Sequence, residues 1–169
     1  MSSFNPKNRN TLGSQITIAL YRITQAIDYL LRERGKVAHL SPTQIQSLLF
    51  LKYARPGIRT IGGLANRLGT TYATSSGVAD ALERKRLIKR TPLSEDQRVV
   101  TLRLMPKGED EAGMLEDVLD EIEAAVNALP EAEQATLLHV TQAIVRHLQR
   151  AGYVHVFEMC WNCQFFQKD

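Results

Sequence analysis

The chain has 169 residues and a net charge of +3, with 44% hydrophobic and 23% charged residues. That composition is ordinary for a soluble protein, and the length suits one compact domain or a small domain with helical extensions. No apolar run approaches the ~18 residues a membrane span needs, and the polar start MSSFNPKNRN has no apolar signal core; the expectation is a cytoplasmic protein with no membrane partner.

The net charge hides an uneven distribution. Residues 1–39 carry 6 basic and 2 acidic side chains, net +4. Residues 40–108 carry 12 basic and 4 acidic, net +8, and residues 109–169 carry 3 basic and 12 acidic, net −9. A basic middle on a mixed chain is the footprint of a polyanion partner. The plain alternative is ordinary solvated surface charge.

Ser14 to Arg34 reads as a long helix. Ile16, Ala19, Leu20, Ile23, Ala26, Ile27, Leu30 and Leu31 follow helical spacing, and Gly35 supplies a stop. A stripe of that length needs another helix to cover it. The next helix begins at LSPTQIQSLLFLKY. Ser41 is its N-cap, Pro42 sits at the first helical position, and Gln44 completes a capping box. Leu48, Leu49 and Leu51 are its core residues, and Pro56 and Gly57 end it.

RTIGGLANRLGTTYATSSGVADALERKRLIKR then gives two short helices around a tight turn. Thr60 caps the first, Leu64, Ala65 and Leu68 are its buried face, and Gly69 breaks it. Thr70 or Thr71 caps the second, with Val78, Ala79 and Leu82 turned inward. This is a helix-turn-helix pattern. Leu87 and Ile88 start a strand, and in RVVTLRL the residues Val100, Leu102 and Leu104 alternate with Val99, Thr101 and Arg103. Pro92, Ser94, Glu95 and Asp96 make the bend between them. A helix-turn-helix followed at once by a β-hairpin is a winged helix.

From Lys107 the pattern returns to helix. Leu115, Val118, Leu119, Ile122, Ala125, Val126 and Leu129 form one stripe with acidic flanks. Pro130 opens a last helix with Leu137, Leu138, Ile144, Val145 and Leu148 apolar, and Gly152 closes it. The terminal helices have more apolar surface than one small domain covers, which predicts a dimerisation platform built from both termini. The predicted organisation is mainly α with a small β-hairpin wing. An N-terminal dimerisation helix spans 1–39 and the winged helix-turn-helix region 40–108. C-terminal dimerisation helices span 109–152, and an aromatic tail 153–169.

In this order and spacing the residues resemble the MarR family of transcriptional regulators. LSPTQIQSLLFL resembles the family's L-[ST]-x-x-Q-x-x-x-L segment, and TIGGLANRLGT its t-i-x-x-L-A-x-x-L-g helix. DALERKRLIKR is similar to D-x-L-E-x-x-G-L-I-x-R, and SEDQRVVTLRLMPKG to the wing pattern D-x-R-x-x-x-x-x-L-T-x-x-G. The resemblance runs from about Ser14 to Gly152. It implies a homodimer on double-stranded DNA, with each recognition helix in a major groove and each wing at a minor groove. It also implies a pseudopalindromic operator, most often under repression, and a small-molecule effector bound between the dimerisation helices and the winged lobe. Arg98 matches the wing arginine that enters the minor groove, where a cation is favoured. Asp96 would hold the wing's shape; the alternative is a solvated ion pair of little worth.

The residues themselves add candidates. Lys89 and Arg90 read as phosphate contacts. Thr70, Tyr72, Ala73, Thr74, Ser76 and Gly77 occupy the start and the exposed early turns of the recognition helix. No Lys or Arg follows until Arg84, although arginine to guanine is the commonest specific contact. Readout then leans on hydroxyls, the Tyr72 ring, phosphates and DNA shape. Gly77 either lets the backbone approach DNA or is merely tolerated. Arg86 stands where the family usually has glycine, so it predicts a strained left-handed residue.

The tail GYVHVFEMCWNCQFFQKD carries five of the chain's aromatics and its two cysteines, Cys160 and Cys163, as C-x-x-C. Three readings stay open. They are a reversible disulfide switch, half of a zinc site completed by His155 or the dimer mate, and a structural pair. A thiol oxidoreductase or metal-binding protein is the alternative to a regulator. No βαβ pattern surrounds the motif and no catalytic triad or phosphate loop is present, so the chain reads as a non-enzyme.

Overall fold

The computed structural model describes residues 3–92 and 100–154. Seven helices flank one hairpin in chain order. They are α1 (Leu12–Ala38), α2 (Pro42–Tyr53), α3 (Ile61–Leu68), α4 (Tyr72–Arg84), β1 (Ile88–Pro92), β2 (Val100–Leu104), α5 (Pro106–Met114), α6 (Asp120–Asn127) and α7 (Glu131–Arg150). The sequence expectation of a mainly helical winged helix-turn-helix is met.

Caps set these boundaries as the sequence predicts. The Ser41 hydroxyl accepts from the Gln44 N–H at 3.2 Å, and the Gln44 side chain accepts from the Ser41 N–H at 3.1 Å. Thr60 caps α3 and Thr71, not Thr70, caps α4. Gly69 ends α3 at φ 61, the left-handed region where a Cβ is costly.

Two helix boundaries differ from expectation. Gly35 does not stop α1, which runs on to Ala38 and ends at a left-handed His39. Gly35 is there for contact: a Cβ on it would meet the Leu40 carbonyl oxygen at 2.2 Å. The helix predicted from Lys107 onward is also broken. It starts at Pro106, stops at Met114, passes through a 3-10 turn over Glu116–Leu119 and restarts at Asp120. The break turns Leu115 and Val118 into the core and lets α6 swing away from it.

The core is assembled from α2, α3, α4, the hairpin and α5, closed by the C-terminal end of α1. Ile45, Leu48, Leu51, Leu64, Leu82, Ile88, Leu102 and Leu115 are its large fully buried apolar side chains. Strands β1 and β2 pair antiparallel, with Ile88 opposite Leu104, Lys89 opposite Arg103, and Arg90 opposite Leu102. The outer edge of β2 is covered by the segment before α3: the Leu102 N–H donates to the Arg59 carbonyl at 2.6 Å, and Thr60 bridges Thr101.

Beyond this core the picture changes. Neither α6 nor α7 buries a residue, and α1 buries only Leu31 and Gly35. Leu12, Ile16, Leu138 and Val140 lie open, Leu12 at 76% exposure. No helix of the described residues is long and apolar enough to cross a membrane.

Candidate nucleic-acid interface

The site is built on the N-terminal turns of α4. The Thr71 hydroxyl accepts from the Thr74 N–H at 3.1 Å and shares a hydrogen bond with the Thr74 hydroxyl at 2.9 Å. The first turn of α4 holds no acidic residue. The positive end of the helix dipole and its remaining N–H groups therefore face outward with no carboxylate to satisfy them, an arrangement suited to a phosphate.

Tyr72, Ala73, Thr74 and Gly77 are all exposed here, and so is Thr71, which sequence reasoning named only as a cap. The Tyr72 ring is 61% exposed. Thr70 is half-buried; its hydroxyl donates to the Thr71 carbonyl at 3.1 Å and lies 3.4 Å from the hydroxyl of buried Ser75. Space around Gly77 is open, with nothing within 4 Å of where its Cβ would stand.

Ser76 and Arg90 are placed differently from the early-turn and phosphate roles read in the sequence. Ser76 is half-buried and turned toward the hairpin. An Arg90 Nη2–H donates to the Ser76 carbonyl at 2.9 Å and to its hydroxyl at 3.3 Å. The Arg90 Nη1 donates to Asp80 Oδ1 at 2.5 Å, and the Arg90 backbone N–H donates to Glu83 Oε1 at 3.0 Å. Arg90 thus joins the first wing strand to the recognition helix. The signal was present in the sequence: Ser76, Asp80 and Glu83 stand at helical spacing just before the hairpin.

Lys89 lies on the opposite face of the hairpin. It is exposed and stands directly across from exposed Arg103, which sequence reasoning did not single out. Like charges opposite one another on a hairpin are locally unfavourable, and a polyanion relieves them.

Several other cations of the basic middle are engaged within the fold. Lys85 Nζ donates to the His39 carbonyl at 2.5 Å and to Gln44 Oε1 at 3.1 Å, so the exposed end of α4 is tied to the end of α1 and the start of α2. Arg59 donates from Nε to the Ala54 carbonyl at 2.6 Å and from Nη2 to the Lys52 carbonyl at 3.3 Å, satisfying the end of α2. Lys52 pairs with Glu116 at 2.6 Å. Arg86 takes φ 58, the left-handed conformation its place in the sequence predicts.

Asp96 and Arg98 in the wing, and His155, Cys160 and Cys163 in the tail, lie outside the described residues. Among the described residues no group of three His, Cys, Asp or Glu side chains stands together as a metal site. A cleft of about 510 Å³ opens between α1 and the junction of α5 with α6, lined by Leu30, Val37 and Val118 with Glu33, Asp117, Asp120, Glu121 and Arg34.

Known proteins share this arrangement. Residues 40–99 match the model of the MarR family. The HTH-type transcriptional repressor MdtR of Bacillus subtilis (strain 168) is 28% identical over 144 residues, covering 83% of this chain and 90% of its own. The transcriptional repressor CouR bound to a 23-mer DNA duplex is 25% identical with a TM-score of 0.66, over 83% of this chain and 96% of that one. CouR from Rhodococcus jostii RHA1 has also been solved with p-coumaroyl-CoA. MepR of S. aureus in complex with DNA superposes with a TM-score of 0.70 at 22% identity, over 78% of this chain and 97% of that one. Family model, relatives and fold agree: residues 40–99 are similar to the MarR family, and over most of its length the chain resembles that family's winged helix-turn-helix transcriptional regulators.

Proposed function

We propose that the protein is a homodimeric, sequence-specific repressor that binds a pseudopalindromic DNA operator. The observation that carries this reading is the open end of α4: a positive dipole with no acidic residue in its first turn, Thr71, Tyr72, Thr74 and Gly77 exposed, and a basic hairpin beside it. The dimer follows from the unburied apolar faces of α1, α6 and α7, which a second copy would cover. Two recognition helices related by a twofold then demand half-sites about one DNA turn apart. Direct readout comes from Tyr72, Ala73, Thr74 and Gly77 with Thr70 and Thr71 at the helix start. Lys89, Asp96 and Arg98 serve the wing.

Regulation acts through the relation between the winged core and the terminal helices. The cleft between α1 and the α5–α6 junction lies at that boundary. Its four carboxylates against one arginine favour a cationic or neutral effector over an anionic one. Oxidation of Cys160 and Cys163 is a second route to the same switch.

Fluorescence anisotropy with DNA from upstream of the protein's own gene tests the reading. Binding in reductant should be tight and fall steeply with salt. Loss on oxidation places the cysteines in the switch; indifference assigns them to structure or metal. Equal affinity for this DNA and for random duplexes, at every salt concentration and for duplexes from other promoters, would sink the regulator.

A further inference from the structure

We propose that Arg90 is a positioning residue: it fixes the rotation of the recognition helix against the wing, and so governs sequence-specific affinity without itself touching DNA. The proposal rests on the DNA-binding reading above and concerns how that site is held.

The geometry is a clamp. Ser76, Asp80 and Glu83 stand at i, i+4 and i+7 on α4, so they form one stripe along the helix. Arg90 engages all three. Its Nη1 donates to Asp80 at 2.5 Å, its Nη2 to the Ser76 carbonyl at 2.9 Å, and its backbone N–H to Glu83 at 3.0 Å. Nε has no hydrogen-bond acceptor but lies 3.9 Å from the other Glu83 oxygen, within its field. A planar guanidinium with donors in fixed directions holds such a stripe in one orientation; a flexible ammonium does not.

The stripe's place on the helix makes its orientation matter. Ser75, Ala79 and Leu82 face the core. Gly77 follows Ser76 by one residue, about 100° round the helix, and shares the open face with Ala73 and Arg84. Core, clamp and open face thus occupy three sectors of α4. The core contacts are apolar and without direction, whereas the Arg90 bonds are directional. They set which residues of α4 point outward. Arg90 is also opposite Leu102 on the helix-facing side of the hairpin, so the same bonds fix the height of the wing. With its side chain 27% exposed, both terminal nitrogens bonded to α4 and Nε buried, Arg90 has little to offer a phosphate.

The test uses the full-length protein and a duplex recovered from a random pool by selection on the wild type. Wild type, Arg90→Gln, Asp80→Asn and the double variant are titrated by anisotropy across a salt series, against this duplex and a random one. Arg90→Gln should weaken the selected duplex by about tenfold or more and leave the random duplex nearly unchanged. Its slope of log Kd on log salt should match the wild type, because no phosphate contact is removed. Asp80→Asn should weaken specific binding too, although deleting an anion near DNA would by charge alone tighten it. The double variant should be no worse than the weaker single one, since both break one unit.

Three results overturn the proposal. One is a slope reduced by about one, with both duplexes weakened alike, which makes Arg90 a phosphate contact. Another is tighter binding by Asp80→Asn. The third is a lowered melting temperature with an unchanged ratio of specific to random affinity in the active fraction, which makes the clamp purely structural. If Arg90→Gln does not fold, the sign of the Asp80→Asn effect still decides. If the wild type selects no duplex, the DNA-binding reading itself fails, and that failure is seen before any variant is made.

Discussion

Between Leu31 and Val118 the chain closes a core on itself, and every large side chain in that core is met by another from the same chain. Outside that span, α6 and α7 run for 8 and 20 residues without burying one of them. The two regions have similar raw material. Ile16, Leu138 and Val140 are as apolar as Ile45, Leu48 and Leu64, yet the first set lies in solvent and the second is sealed. The winged core is complete within one chain; the terminal helices leave their apolar faces uncovered, as the proposed dimer requires. That asymmetry is what a regulator requires, because a platform held together by a second copy can shift without unfolding the reading head.

The largest break in the comparison comes from the terminal side. Ile16→Asp with Leu138→Asp places charges on the uncovered stripes of α1 and α7. Sedimentation should show a monomer, and affinity for an operator should fall by about 100-fold or more, because two linked half-site contacts become one. Circular dichroism should still report a folded winged core. A dimer that survives both aspartates would mean that the open faces serve something other than the twofold.

The matching break on the core side is Leu64→Ala. Leu64 is fully buried in α3, so the loss of packing plus the cavity should cost about 2–5 kcal/mol, read from urea denaturation. The midpoint should move while the concentration-dependent part of the transition is retained. Val140→Ala on α7, by contrast, should scarcely change a monomer.

Much of the winged core was legible in the sequence, and the terminal half was legible mainly as a surplus. The Ser41–Gln44 capping box, the Thr60 cap and the Gly69 stop are local devices, read within a few residues of one another. Arg86 was legible for the same reason, since a turn that ordinarily takes glycine keeps its φ whichever side chain occupies it. What stayed hidden was long-range. Gly35 looks like a helix stop until the Leu40 carbonyl is seen against it. The stripe from Leu115 to Leu129 reads as one helix, because periodicity does not show that Leu115 and Val118 must dip into a core made by α1 and α2. Charge misled in one way: Lys52, Arg59, Lys85 and Arg90 count toward the basic middle, but each is committed to a partner inside the fold.

Two single substitutions sharpen the comparison within the reading head. Arg86→Gly should raise stability by about 1 kcal/mol, since relief of a left-handed conformation that costs a side chain about 1–2 kcal/mol outweighs the extra backbone entropy glycine loses on folding. DNA affinity should stay close to wild type. Gly77→Ala should also stabilise α4 by about 1 kcal/mol, because a Cβ there meets open space. On the proposed reading the operator backbone enters that space, so DNA affinity should fall. Stabilisation with unchanged affinity would reduce Gly77 to a tolerated small residue.

The smallest effect belongs to the boundary between the two regions. Lys52 Nζ lies 2.6 Å from Glu116 Oε1, and the Tyr53 hydroxyl donates to the same carboxylate, fastening α2 to the 3-10 turn from which the chain leaves for α6. The Lys52 bond, then the Tyr53 bond, holds the Glu116 carboxyl below its ordinary value, while Glu116 raises both Lys52 and Tyr53. A depressed carboxyl contributes stability that is complete above its unfolded value of 4.5 and is lost as pH falls through the folded one. The raised Lys52 contributes below its unfolded value of 10.5 and loses that contribution only as pH rises through its folded one. Neutral pH therefore retains the whole fastening. Glu116→Gln should lower the melting temperature slightly at neutral pH, and the gap from wild type should close in acid as Glu116 protonates. The fastening is exposed and screened, so added salt should narrow the same gap at neutral pH. A gap that is as wide in acid as at neutral pH would assign Glu116 to packing rather than charge. The boundary would then be held by shape alone.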